Sequence, residues 1–314
     1  MNSPSGEARS AIFVGPKPDE RIATAIERGG GLLVTDPRQA EGIVWLDPSD
    51  PDGLGSVLHD QVSWVQLPSA GVEAWIDRIA ADADRDYTSA RGAYAVTVAE
   101  HALALLLVGA RHLHESARAR SWSGYTERQG EALRGREVLI VGCGGIGAAL
   151  IPMLASIEVP VLAVTRSGRT VPGAAESFGM ADLTGELWAL APYIVLAAPL
   201  TPQTRFLVDE RALSSMRDDA WLVNVGRGEI VDTDALQHAL DAGRIRGAAL
   251  DVTDPEPLPD GHPLWDQPRA LITPHTANPR PALERRLAER VEANVRRFCR
   301  QEPLLGVVDP ARGY

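Results

Sequence analysis

Arg227, Glu256 and His275 have the residue types needed to move a proton on and off a carbonyl oxygen. A guanidinium grips a carboxylate and polarises the neighbouring carbonyl, an imidazole protonates the oxygen as it becomes an alkoxide, and a carboxylate beside the imidazole favours its protonated form. With a hydride donor alongside, that set interconverts a 2-keto acid and a 2-hydroxy acid. The spacing supports convergence. Asn224-Val-Gly-Arg227-Gly, Asp251-Val-Thr-Asp-Pro-Glu256-Pro and Thr273-Pro-His275-Thr each follow an apolar run that reads as a buried strand. In a doubly wound sheet the carboxyl ends of the strands form the ligand crevice. Taken singly, each residue has a plainer explanation: Arg227 a surface charge, Glu256 a solvated turn between prolines, His275 a helix cap, Asp251 a structural turn residue. His262, before Pro263-Leu-Trp265, reads as a loop anchor.

A hydride donor has its own signature upstream. Val138-Leu-Ile-Val141 runs directly into Gly142-Cys-Gly144-Gly145-Ile146-Gly147 and then a helical pattern, the strand, glycine loop and helix of a dinucleotide site. Gly142 permits the tight turn, Gly144 lets backbone approach a pyrophosphate, and Gly147 lets the helix pack on the strand. About 20 residues further on, an NAD site usually carries an acid for the ribose hydroxyls. Thr165-Arg166-Ser167 stands there instead, with Arg169 just beyond. No carboxylate repels a 2′-phosphate and Arg166 is able to pair with it, so NADP is the expected cofactor and NAD the alternative.

The elements that must position these residues fall into two α/β blocks. In the first, Ala11–Val14, Leu32–Val34, Ile43–Leu46 and Val62–Leu67 read as strands and Asp19–Arg28 as a helix, with Pro68-Ser69-Ala70-Gly71 as a candidate ligand-binding turn. A long apolar helix, Ala95–Arg120, and a polar stretch, Ser121–Arg134, lead to the second. Its six expected strands are Val138–Val141, Val161–Val164, Ile194–Leu196, Leu222–Val225, Ala248–Leu250 and Ala270–Ile272, and the last expected helix, about Pro281–Arg300, is charged on its outer positions. The expected fold is α/β, with two Rossmann-like or flavodoxin-like domains, each a doubly wound parallel sheet, and a cleft between them.

Composition narrows the function classes. A length of 314 residues suits two domains, and 45% apolar with 23% charged residues is ordinary globular composition. A formal net charge of −11 disfavours nucleic acid and anionic membrane surfaces. The amino terminus, Met1 to Arg9, has no apolar signal core, and the longest apolar run, Ala102 to Val108, is too short to span a bilayer. Cys143 and Cys299, the two cysteines, lack the spacing of a disulfide framework or a metal site, which fits a reducing cytoplasm.

These motifs make the chain resemble the D-isomer-specific 2-hydroxyacid dehydrogenases along most of its length. The likeness rests on Val98-Ala-Glu100-His101, the glycine loop, Pro199-Leu-Thr-Pro-Gln-Thr204, and Asn224-Val-Gly-Arg227-Gly-Glu-Ile-Val-Asp232. It also rests on Gly247-Ala-Ala-Leu-Asp251-Val with Glu256-Pro, and on Thr273-Pro-His275. The resemblance implies that Arg227 binds the substrate carboxylate and carbonyl, that His275 is the acid and base, and that Glu256 pairs with it. It further implies that Asp251 holds the nicotinamide amide, that Pro199 and Thr204 line the adenosine side, and that Val225, Gly226, Arg227 and His275 border the cofactor. Ser69, Ala70 and Gly71 match a turn whose amides meet the substrate carboxylate.

The family pattern also implies a discontinuous substrate domain, 1–94 with 281–314, around a dinucleotide domain, 95–280, and a homodimer joined through the long helix. It suggests glyoxylate or hydroxypyruvate as substrate. A 3-phosphoglycerate dehydrogenase and a non-catalytic dinucleotide-sensing protein are the rival readings; intact Arg227, Glu256 and His275 argue against the second. A formate dehydrogenase is expected to have a longer amino-terminal region. Two positions depart from the pattern: Glu158 replaces a usual glycine, and Pro152 is expected to kink the helix after the glycine loop.

Overall fold

A computed structural model describes residues 9–122 and 129–313. The chain divides into two compact units, one taking it up to Tyr94 and again from Arg280 onward, the other spanning Ala95–Pro279.

In the first unit, β1 (Ala11–Gly15), β2 (Leu32–Val34), β3 (Gly42–Trp45), β4 (Trp64–Gln66) and β5 (Asp86–Thr88) form a parallel sheet in the order β2-β1-β3-β4-β5. β5 is absent from the sequence expectation because three residues, the first of them an exposed Asp86, carry no periodic signal. Its identity as a strand comes from pairing with β4, and Thr88 is bridged on its other side by Val307 near the carboxyl end. The helix Glu20–Gly29 begins on an Asp19 side chain that accepts from the amides of Arg21 and Ile22 and ends on Gly30 at φ 93°, an N-cap and left-handed C-cap of the kind the sequence pattern calls for. The helix Arg280–Cys299 packs against it, burying Leu287, Val291 and Val295.

In the second unit, β6 (Val138–Val141), β7 (Val161–Thr165), β8 (Glu176–Gly179), β9 (Tyr193–Leu196), β10 (Trp221–Asn224), β11 (Gly247–Leu250) and β12 (Ala270–Ile272) run parallel in the order β12-β11-β10-β9-β6-β7-β8. The chain winds outward from β6 to β8 and returns to β9, so the topological switch point falls between β6 and β9 and the glycine loop leaves the sheet there. The strands read as unbroken apolar runs because both faces are covered. Leu139 and Val141 enter one core cluster and Val138 and Ile140 the other. β8, the seventh strand, is an edge strand of Glu-Ser-Phe-Gly and lay outside the six expected.

The long helix is shorter than its apolar pattern suggests. It runs Ala95–Ala110, the chain breaks at His112 with φ 48°, and a separate helix covers Leu113–Arg118. Its buried side packs on the helix Gly145–Ala155 and on β10, where Gly109 lies so close to Trp221 that any Cβ would overlap the indole. Pro152 does not end the helix Gly145–Ala155. Glu158 takes up φ 58°, the left-handed conformation that favours glycine, and its carboxylate pairs with Arg134 while its carbonyl accepts from the Gly135 amide. Among the described residues no helix is long and apolar enough to cross a membrane.

Candidate active site

β6 delivers the glycine loop to the switch point. Gly142 sits at φ 99°, and a Cβ there would overlap the backbone of Ala198 after β9, so the residue is glycine for two independent reasons. Gly144 caps the helix Gly145–Ala155 with no side-chain hydrogen bond, and a Cβ on it would meet nothing within 4 Å. There is therefore room beside Gly144 at the amino end of the helix, where the positive end of its dipole lies, a cradle of the right chemistry for a pyrophosphate. A Cβ on Gly147 would lie 3.1 Å from the Gly142 carbonyl, which keeps the helix tight against the loop. Cys143 between them is a packing residue: burial pushes its thiol up to about 11.

At the end of β7, Thr165 is 6% exposed and its hydroxyl has no hydrogen-bond partner. A buried orphan hydroxyl beside a glycine loop fits a dinucleotide ribose that would satisfy it. Arg166 and Ser167 follow on an exposed turn, and Gly168 at φ 72° bends the chain so that Arg169 Nη2 donates to the Cys143 carbonyl at 3.2 Å. That return of Arg169 to the glycine loop is a tertiary contact the sequence reading did not anticipate. Thr204 is buried and turned inward: its hydroxyl donates to the Pro199 carbonyl at 2.7 Å and accepts from the Thr201 amide at 2.8 Å, which shapes the Pro199–Thr204 loop.

Arg227 is carried by a loop with little freedom. Asn224, fully buried at the end of β10, donates from Nδ2 to the Arg227 carbonyl at 2.9 Å and accepts at Oδ1 from the Gly226 amide at 3.0 Å. Val225 and Gly226 are buried, and Gly228 lies against the Thr253 carbonyl so closely that no side chain fits. The half-buried Arg227 side chain donates from Nη1 to the Gly226 carbonyl at 2.7 Å. Asn224 was part of the motif in the sequence but had no role there.

The loops after β11 and β12 bring the remaining groups together. His275 Nδ1 lies 2.6 Å from Glu256 Oε1, and the two side chains are 56% and 41% exposed, open to an incoming ligand. A cavity of about 260 Å³ borders the pair, lined by Leu258, Trp265 and Ile272 among others. Asp251, 3% exposed, ties the loop down. Its Oδ1 accepts from the Thr273 hydroxyl at 2.7 Å and the Thr276 amide at 2.9 Å, its Oδ2 from the Ala277 amide at 3.1 Å, and its own carbonyl from the His275 amide at 2.8 Å. Burial alone would raise the Asp251 carboxyl, but hydrogen bonds from His101, Thr273 and the Thr276 and Ala277 amides outweigh it and hold the group below its usual 3.8. In the first unit, the Ser69 hydroxyl donates to the Gly71 carbonyl at 2.7 Å and the Tyr94 hydroxyl to the Pro68 carbonyl at 2.7 Å, closing the turn that holds Ala70. No group of three metal-binding side chains is found among the described residues.

A carboxyl lowered by folding stabilises the native state above its unfolded value and loses that contribution as pH falls through the folded one. Wild-type protein is therefore expected to lose stability progressively below about pH 4, whereas Asp251→Asn is less stable near neutrality and lacks that part of the acid slope. Denaturant unfolding across the acid range checks this; parallel curves for the two proteins would remove Asp251 as its source.

Comparison with known proteins supplies the family. Residues 102–277 match the model of the D-isomer specific 2-hydroxyacid dehydrogenase NAD-binding domain. An uncharacterized protein in the proB 3′ region of Corynebacterium melassecola is 40% identical over 301 residues, covering 94% of this chain and 97% of that protein. Among solved structures, a D-isomer specific 2-hydroxyacid dehydrogenase from Xanthobacter autotrophicus Py2 in complex with NADPH and MES superposes with a TM-score of 0.82 at 29% identity, over 98% of this chain and all of that one. An NADPH-dependent glyoxylate/hydroxypyruvate reductase from Sinorhizobium meliloti in complex with NADP and malonate gives 0.74 at 26% identity, over 97% and 98%. With a glycine loop at the switch point of one sheet and His275 against Glu256 beyond β11 and β12, the chain belongs to the D-isomer specific 2-hydroxyacid dehydrogenases and is an NAD(P)-dependent oxidoreductase.

Proposed function

We propose that this enzyme reduces a small 2-keto acid of the glyoxylate or hydroxypyruvate class to the D-2-hydroxy acid, with NADPH as donor. The observation that carries the reading is the 2.6 Å contact between His275 Nδ1 and Glu256 Oε1. With Nδ1–H directed at the carboxylate, Nε2 is the nitrogen left to face a substrate oxygen. The imidazolium donates its Nε2 proton to that oxygen, and the neutral ring left behind keeps its Nδ1–H on Glu256, so the pair holds one tautomer through the reaction. Arg227 is the cation for the substrate carboxylate and the polarised carbonyl. Bound dinucleotide supplies the hydride. Gly142, Gly144, Gly145, Ile146 and Gly147 would hold its pyrophosphate, Thr165 and Ser167 its ribose, and Pro199 and Thr204 its adenosine side. The Ser69–Gly71 turn is assigned to the substrate carboxylate.

The NADP preference rests on charge. No carboxylate follows β7, and Arg166 and Arg169 both stand on the turn beyond it, the latter placed at the glycine loop by its bond to Cys143. One charge-assisted hydrogen bond to a 2′-phosphate is worth roughly 1.5–3 kcal/mol, about ten- to a hundredfold in affinity. The family reading also gives a homodimer. Val96 on the long helix and Leu113 just beyond its break are each 49% exposed, and Trp122 further on is 89% exposed, apolar side chains that a second copy would cover. The two free cysteines suit a cytoplasmic protein.

Glyoxylate and hydroxypyruvate are expected to oxidise NADPH at least tenfold more efficiently than NADH, and Arg227→Ala to abolish turnover, read as loss of nicotinamide absorbance. NADH in the lead would reject the 2′-phosphate assignment; an active Arg227→Ala would reject the site.

Glu256→Gln removes the anion that orients the ring through Nδ1, so kcat of the reduction is expected to fall roughly tenfold or more with KM for NADPH little changed; an unchanged kcat would detach Glu256 from His275. Light scattering at about micromolar concentration, a range in which specific interfaces persist, is expected to give twice the chain mass, and a monomer would refute the dimer.

A further inference from the structure

His101 carries the family resemblance in sequence but has no part in the chemistry above. In the structure its side chain is 21% exposed, and Nε2 lies 3.0 Å from the Thr273 hydroxyl and 3.3 Å from Asp251 Oδ1. The direction of the first bond follows from proton count. Thr273 has one hydroxyl proton and donates it to Asp251 Oδ1 at 2.7 Å, so toward His101 the hydroxyl only accepts. Nε2 of His101 therefore carries a proton, which lies between the hydroxyl and the carboxylate.

Thr97 stands four residues earlier on the same helix, and residues at that spacing share a helix face. Its hydroxyl donates to Asn278 Oδ1 at 2.9 Å. The helix Ala95–Ala110 thus holds the loop after β12 at Thr273 and again at Asn278, with His275 between the two points. The segment needs such holding. His275 is a non-glycine residue at φ 52°, a left-handed conformation that is unfavourable for a side chain with a Cβ and persists only where the surroundings impose it. Asp251 imposes it through the Thr273 hydroxyl before it, the His275 amide itself and the Thr276 and Ala277 amides after it, and His101 in turn fixes Asp251 and Thr273.

We propose that His101 is a positioning residue for the reaction, with Thr97 as its companion: together they seat the loop that presents His275. The proposal rests on the reading of His275 as proton donor, and its test separates the two. In the full-length enzyme with glyoxylate and NADPH, His101→Leu lowers kcat at least tenfold while KM for NADPH stays within threefold. His101→Gln, which places an amide N–H where Nε2–H was, returns kcat to within threefold of wild type. Thr273→Val breaks the same link from the opposite side without altering the imidazole and lowers kcat likewise, so the test does not depend on one variant folding. Unchanged kcat in His101→Leu, or equal loss in the Leu and Gln variants, would overturn the proposal. Long-range ¹⁵N–¹H spectra of the ligand-free protein give a readout independent of turnover: His101 shows the Nε2–H form, and a deprotonated Nε2 would overturn the clamp. An active His275→Asn variant would instead overturn the proton-donor reading.

Discussion

The site is organised around one buried anion. Asp251 has lost its hydration, a penalty that can reach several kcal/mol for a carboxylate, and it stays charged only because donors from three directions replace the water. Those donors are not interchangeable with solvent. They are the hydroxyl of Thr273, the amides of Thr276 and Ala277, and the ring of His101, so satisfying the anion fixes the path of the chain from β12 through residue 277. A buried charge of this kind adds little net stability over a well-packed apolar pair, but it accepts one arrangement of its neighbours and penalises others. The left-handed backbone of His275 is held inside that arrangement.

Backbone contact does for Arg227 what the anion does for His275. Gly228 rests on the Thr253 carbonyl and Gly142 on the Ala198 backbone, with no room for a methyl group at either place. Loops leaving neighbouring parallel strands are therefore pressed together at their starts. Asn224 closes the Arg227 loop from beneath, bonding the peptide groups on both sides of its own turn. Position is imposed on the guanidinium by main chain and a buried amide, which lose less order with thermal motion than a contact between two long side chains would.

The sheets were readable because both are buried on two faces, so that strands such as Val138–Val141 and Leu222–Val225 appear as apolar runs. Two short edge strands were not, whereas Leu32–Val34 and Ala270–Ile272, also at sheet edges, were legible from their apolar runs. Asp86–Thr88 and Glu176–Gly179 are strands by virtue of their partners, and pairing with a distant segment leaves no trace in three or four residues. The long helix was overextended for a related reason: apolar periodicity continues past Ala110, whereas the break at His112 is a backbone event at a residue type with no strong bias against helix. At the site, motif residues were legible because loop chemistry is local: glycines announce positive φ or close approach, and an acid and a histidine after successive strands announce a shared crevice. Thr165's orphan hydroxyl, Arg169's return to Cys143 and His101's hold on Thr273 were illegible, since each depends on which groups the fold leaves unsatisfied. Glu158 is the opposite case, a glycine position recognised in the pattern and filled by a residue whose left-handed backbone is accompanied by an ion pair to Arg134.

Two carboxylates stand near His275 in the chain fold, and their surroundings assign them different work. Asp251 is enclosed, its Oδ1 accepting from the Thr273 hydroxyl and the Thr276 amide and its Oδ2 from the Ala277 amide, so its charge ties the loop down. Glu256 meets the imidazole directly and remains 41% exposed, so in the proton-transfer role proposed for the pair water can adjust around it. Exchanging the two environments would defeat both tasks: a buried Glu256 would confront its desolvation penalty every time the ring became neutral, and an exposed Asp251 would let water compete for the amides that hold the loop. On the proposed reading of His275 as proton donor, one fixed anion for geometry and one solvated anion beside the ring let a rigid loop carry a residue whose charge must change.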